Sequence, residues 1–252
     1  MRIGISTAQR GRLARPAAVR AVAQAAEQVG YSSLWVLDAP VGGDAGDVLD
    51  PLGVLAATAA VTSRARLGVN VHLAAPYDPL LLARSLTTLD VLSEGRLVVS
   101  LEADDLPMLD AVLDCLDGGP RPRPPVLVGC SRSAGLERVG ARADGWSPAN
   151  LPLGELEAGW ARARELAADA GRDPATLRLV VRTSTVLSDD PVEGPRPLYS
   201  GSVEQVAADL EVTGLLGAEE VVLGFPGDPC LDEALDGYAR IAEAVTLRAP
   251  VG

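Results

Sequence analysis

The chain has 252 residues, nearly half of them apolar, and a formal net charge of −12; that length suits one large domain or two small ones with a sizeable core, and the acidic balance argues against a nucleic-acid partner, which needs clustered cations. All 22 basic residues are arginines, so neither a Schiff-base lysine nor a phosphate-loop lysine exists. The single histidine, His72, argues against a multi-histidine zinc site and against a Ser-His-Asp hydrolase.

Arg2-Ile3-Gly4-Ile5-Ser6 opens the chain as a strand rather than as a signal peptide. From there β-rich runs at 2–6, 33–38, 66–73, 96–102, 125–129, 143–147, 178–187 and 220–225 alternate with helical patterns at 16–29, 51–61, 79–92, 106–117, 132–141, 153–170, 203–216 and 230–246. Eight strands, each followed by a helix, predict an α/β fold, a single TIM-type (β/α)8 barrel over residues 1–252, where an open doubly wound sheet usually has fewer repeats. Start signals agree. Asp50-Pro51 and Asp78-Pro79 each place an N-cap acid before a proline at the first helical position. Ser202 and Gln205 form a capping box, and Gly30 and Gly171 sit where helices end. The Pro- and Gly-rich pieces at 118–125 and 189–201 read as loops within the one domain. Cys115, Cys130 and Cys230 are few, odd in number and widely spaced, which predicts a reducing, cytoplasmic location. No apolar run reaches the roughly 18–20 residues of a membrane helix, so no membrane partner is expected.

Several stretches in this order resemble one family. Residues 25–38, Ala25-Ala26-Glu27-Gln28-Val29-Gly30-Tyr31 through Leu34-Trp35-Val36-Leu37-Asp38, resemble the first helix and second strand of the luciferase-like oxidoreductases. Asp50-Pro51 and the run from Ala56 to Val69 resemble the next helix and strand, and Leu89-Asp90-Val91-Leu92-Ser93-Glu94-Gly95-Arg96-Leu97 is the most specific match. Pro125 to Gly129, Ala143-Asp144-Gly145-Trp146-Ser147-Pro148 and Gly201 to Val206 follow in order. The resemblance covers nearly the whole chain and implies the barrel fold and an oxidoreductase or monooxygenase that uses FMN or a deazaflavin coenzyme of the factor-420 type on a small organic substrate. It also implies a homodimer, for which Leu80-Leu81-Leu82-Ala83, more apolar than one buried helix stripe requires, gives a place on the helices at 51–61 and 79–92.

The sequence departs from the family's pattern around the mouth. Asp38 is followed by Ala39 where the family usually has His or Ser. Ser100-Leu101-Glu102-Ala103-Asp104-Asp105 runs into a short helix in place of a glycine-rich turn and insertion, and Gly118 to Pro122 replaces a hairpin. Two other readings therefore stand beside the first: a flavin-binding or partner-subunit protein without turnover, and a barrel isomerase or lyase with no cofactor.

Alternation selects the candidate residues. In strand 66–73, Leu67, Val69, Val71 and Leu73 share the helix-facing side, leaving Gly68, Asn70 and His72 to face the barrel near its mouth. His72 titrates near neutrality when unperturbed, so it is either a proton donor and acceptor or a hydrogen-bonded residue that shapes the pocket. In strand 96–102, Ser100 and Glu102 share the inward parity of Val98; Glu102 either handles a proton at the rim or begins a solvated acidic loop with Asp104 and Asp105. Asp38 ends strand 33–38, where the resemblance puts an acid against the central ring of the cofactor; its alternative role is a loop cap. Gly129-Cys130-Ser131-Arg132-Ser133 joins a strand to a helix and offers unpaired N–H groups, two hydroxyls and a guanidinium, either as an anion site for the cofactor phosphate or as ordinary helix capping. Cys130 reads as a packing residue rather than a nucleophile. Arg182 shares the parity of Val180 and Ser184 and either reaches inward or pairs with an acid outside the barrel. Asp44, Asp47 and Asp50 have the composition of a calcium loop without its spacing, so no metal is expected.

Overall fold

The strands at Arg2–Ser6 (β1), Ser33–Leu37 (β2), Arg66–His72 (β3), Leu97–Glu102 (β4), Val126–Gly129 (β5), Gly145–Trp146 (β6), Arg178–Ser184 (β7) and Glu220–Gly224 (β8) pair in chain order, all parallel, and β8 closes on β1. Helices α1 (Pro16–Val29), α2 (Pro51–Ala59), α3 (Pro79–Leu92), α4 (Leu106–Asp117), α5 (Ser133–Ala141), α6 (Leu153–Asp169), α7 (Val203–Leu215) and α8 (Leu231–Ala244) follow the strands one by one. This computed structural model describes residues 1–38, 48–73, 77–131 and 133–245. The (β/α)8 barrel expected from the alternation is the observed architecture. Among the described residues no helix is long and apolar enough to cross a membrane.

The caps act as read. Asp50 accepts from Gly53 N at 2.7 Å, Asp78 from Leu81 N at 2.9 Å, and Ser202 and Gln205 complete a capping box on α7. Two strands are shorter than expected by more than one residue. The run 143–147 yields only Gly145–Trp146 as a strand; just before it the Asp144 side chain accepts from Val126 N at 2.7 Å and pairs with Arg123. Gly145 then approaches β7 so closely that a Cβ would lie 2.1 Å from the Arg178 carbonyl oxygen. The run 178–187 leaves the barrel after Ser184, where Leu187 bridges to Gly201 instead.

The parity argument holds. Val69 and Val71 are buried in the layer between strands and helices. Gly68 faces the lumen, where an added Cβ would lie 2.0 Å from the Trp35 ring. Trp35, Val98, Leu127, Val180 and Val222 form a separate apolar cluster inside the barrel. Below it, Arg66 and Arg178 meet Glu219 at 3.1 and 2.8 Å, and Arg66 and Ser33 both bond Glu220. The lumen is thus closed at the N-terminal end by charge and in its middle by hydrocarbon. Only the C-terminal end is left for a ligand.

Candidate active site

The next inward layer toward the mouth is polar. Asn70 and Ser100 are register partners on β3 and β4, both essentially inaccessible. Asn70 Oδ1 and Ser100 Oγ have no hydrogen-bond partner among the described residues. One inward position further along each strand stand His72 and Glu102, again register partners, and Glu102 is in turn the partner of Gly129 on β5. The predicted residues from these three strands are therefore neighbours on one side of the mouth.

Glu102 is not a lone acid on a solvated loop. Its Oε1 accepts from Arg182 Nη2, so the pair joins β4 to β7 across the lumen. Arg182 is 8% exposed and also donates from Nε to Ser147 Oγ at 3.0 Å and from Nη2 to Ser147 O at 3.1 Å. Burial pulls the guanidinium below its ordinary pKa, against the Glu102 charge that holds it up. Of the two placements open to Arg182 in the sequence, the inward one is observed.

His72 stands at the rim, its side chain 44% exposed, with Nδ1 at 3.3 Å from Asp104 Oδ2. Asp38 Oδ2 accepts from Tyr77 OH at 3.0 Å and from His72 N at 3.3 Å. Burial first, then the Asp38 charge, push the Tyr77 phenol well above its ordinary pKa, so it stays a donor. Asp38 is thereby a tie between the ends of β2 and β3. Ala39, Asp44 and Asp47 lie outside the described residues, and Asp50 serves as the α2 cap. Among the described residues no cluster of three His, Cys, Asp or Glu could hold a metal ion.

Gly129, Cys130 and Ser131 line a cavity of about 210 Å³ with Glu102, Asp104 and Ala149. Ser131 is exposed where the chain enters α5, and Arg132 lies outside the described residues. Burial pushes the Cys130 thiol up to about 12, opposed by Trp146, which disfavours the thiolate. Trp146 Nε1 donates to the Cys130 carbonyl at 2.9 Å and holds the turn in place.

A second cavity, about 250 Å³, lies on the far side of the Glu102–Arg182 pair, above β7, β8 and β1. Sequence reasoning missed it. Its floor is Ser6, Arg182 and Ser184, and its wall includes Leu13, Phe225 and Tyr238. Asn150, at φ 52°, accepts from Ser184 N at 2.7 Å and donates from its own N to Arg182 O at 3.0 Å, fixing the rim. No spacing in the chain announces these contacts, because loops after three different strands meet there.

Comparison with known proteins gives consistent results. A sequence profile described as luciferase-like monooxygenase matches residues 1–101 and 115–211. The gap between the matched segments begins at Glu102 and takes in most of α4, the stretch whose sequence departs from the family. An uncharacterised protein of Mycobacterium tuberculosis, Rv0953c, is 30% identical over 243 residues, covering 77% of this chain and 75% of its own. Monooxygenase RslO1 from Streptomyces bottropensis superposes with a TM-score of 0.79 at 20% identity, over 98% of this chain and 99% of that one. The coenzyme F420 dependent tetrahydromethanopterin reductase from Methanopyrus kandleri superposes with a TM-score of 0.74 at 17% identity, over 97% and 98%. At these identities the solved structures share the fold.

Proposed function

The chain belongs to the luciferase-like monooxygenase family, and from that premise we propose that it is an oxidoreductase acting on a small organic substrate with a deazaflavin or FMN bound at the barrel mouth. The observation that carries the proposal is the pair of buried, unpartnered oxygens, Asn70 Oδ1 and Ser100 Oγ, side by side in the lumen. Leaving such a group unsatisfied costs about 1–3 kcal/mol. An ordered water or the polar edge of a ligand satisfies such groups. The reductase from M. kandleri, with its F420 dependence, supports the cofactor class for a barrel of this shape.

When bound, such a cofactor carries the hydride. The chain's own residues bind it and manage protons. Asn70 and Ser100 would offer it polar contacts from below the rim. The turn Gly129-Cys130-Ser131, entering α5, receives its phosphate through N–H groups and the Ser131 hydroxyl. Glu102 and Asp104 line the same cavity, so a phosphate there needs a counter-charge, for which the sequence offers Arg132. With Nδ1 facing Asp104, His72 has Nε2 left for a substrate group at the rim. Asp38, fixed by Tyr77 and the His72 amide, positions the strand end that presents this imidazole.

Titration of the full chain with FMN and with a deazaflavin coenzyme, followed by absorbance and fluorescence, tests the reading. One of the two should bind, and Arg132→Ala should weaken it about ten- to a hundred-fold, the worth of a charge-assisted hydrogen bond. Arg162→Ala on the outer face of α6 should leave affinity unchanged. If neither cofactor binds, the acid–base reading with Glu102 and His72 and no cofactor replaces this one.

A further inference from the structure

The Glu102–Arg182 pair divides the mouth into two compartments of opposite charge. On one side, the cavity at β4 and β5 has two carboxylates, Glu102 and Asp104, in its described lining. On the other, the only charged residues in the described lining are Arg10 and Arg182. That is a marked contrast in a chain of net charge −12. The basic compartment is small, about 250 Å³, with hydroxyls at the floor and an apolar wall from Leu13, Phe225 and Tyr238. Tyr238 is held upright by its OH on the Ser6 carbonyl at 3.2 Å and packs edge-on to Phe225 at 5.2 Å between ring centroids.

Arg182 is among the residues that line this compartment. Ser147 takes its Nε and shares its Nη2 with Glu102, fixing the plane of the guanidinium. Nη1 has no partner among the described residues, although Arg182 lines the cavity. A planar guanidinium with one edge held and one nitrogen spare suits a carboxylate or similar oxyanion.

We propose that the compartment above β7, β8 and β1 is an anion-binding substrate pocket, in which Arg182 takes the carboxylate or equivalent oxyanion head of a small molecule whose short apolar body lies against Leu13, Phe225 and Tyr238. Glu102 is the internal competitor for that guanidinium. Its designation as the substrate pocket rests on the cofactor lying at β3 to β5; the anion site itself is tested without any cofactor.

Benzoate and its neutral isostere benzamide are the probes, titrated calorimetrically into the full chain. Benzoate should bind at least about ten-fold more tightly than benzamide, the difference a charge-assisted bond makes. Glu102→Gln removes the competing charge and should tighten benzoate about ten-fold while leaving benzamide unchanged; Arg182→Met should abolish the preference for benzoate. Equal binding of the two probes, or a Glu102→Gln variant with unchanged benzoate affinity, overturns the proposal. The Glu102→Gln arm decides alone if Arg182→Met does not fold. Repeating the titration with saturating FMN or deazaflavin separates the two sources of the anion. Retained benzoate binding supports a substrate site, and competitive displacement overturns it, because Arg182 then holds the cofactor's own phosphate. Benzoate binding in a protein that takes up neither cofactor supports the anion site and counts against the cofactor reading alone.

Discussion

Cutting the pair that crosses the mouth should cost stability in an order set by what each partner retains. In Arg182→Met, Glu102 loses the cation bonded to it, in a place where its side chain is only 15% exposed. Breaking a buried pair from one side costs about 3–5 kcal/mol, because a desolvated charge is left uncompensated. In Glu102→Leu, Arg182 keeps Ser147 Oγ at 3.0 Å and Ser147 O at 3.1 Å. The guanidinium is still partly solvated by the protein, so the loss should be nearer about 2 kcal/mol, within the range for one hydrogen bond to a charged group. The double variant buries neither charge, and apolar replacement of a whole buried pair is often neutral. It should therefore be no less stable than Arg182→Met alone, giving a coupling of about 2 kcal/mol or more in a double-mutant cycle. Urea unfolding of the four proteins at constant m measures this. An additive double variant, or Glu102→Leu falling below Arg182→Met, would refute the reasoning and make the pair a solvent-screened contact.

Two shorter predictions concern the scaffold. The Glu27 carboxylate accepts from Ala65 N at 2.8 Å, Arg64 N at 2.7 Å and Ser63 N at 3.0 Å; burial raises its pKa, but these donors outweigh it and hold the group below its ordinary 4.5. A lowered folded-state pKa contributes stability above the unfolded value that is lost as pH falls through the folded one. Glu27→Gln should therefore be less stable than wild type above about pH 4.5 and converge with it in acid, and parallel thermal-melting profiles would contradict this. On α3, Leu80 and Leu81 at the N-terminal end are 66% and 61% exposed, and Val91 and Leu92 at the C-terminal end are exposed too; a homodimer through α2 and α3 is expected. Light scattering should give a dimer mass that Leu80→Asp with Leu81→Asp halves, and a monomer mass for the wild type at micromolar concentration would rule the interface out.

The residues that made the family legible are largely scaffold. Glu27 anchors the turn before β3. Arg96 donates to Ser93, Thr62, Ala65 and Ala59 and ties the same turn to the start of β4. The turn before Arg96 needs positive φ at Glu94 and Gly95, 59° and 77°. Asp144 joins Arg123 to the start of β5. All of these lie at the N-terminal ends of strands, where a barrel stores stability rather than chemistry. That is why the sequence reads so clearly as this fold and says so much less about substrate. β6 was overestimated: the apolar run around Gly145 and Trp146 is real, but only these two residues pair as a strand with β7.

At the mouth, the legible part is what strand parity alone determines. Alternation on β3 and β4 places Asn70, His72, Ser100 and Glu102 inward, and the structure keeps all four there as register partners. Parity cannot say what lies across a lumen. Glu102 and Arg182 are separated by 80 positions in the chain, and their encounter depends on the barrel closing with β4 opposite β7. The same closure brings Leu13, Asn150, Phe225 and Tyr238, from four separate segments, to the rim of one cavity. Each has an ordinary local role in the sequence, as a loop apolar residue, a turn former or a helix-face aromatic. Their common function exists only once the ring is complete. A basic compartment in an acidic chain is therefore a property of closure: Arg10, from the arginine-containing segment 10–15, and Arg182, far along the chain, meet only above β1 and β7.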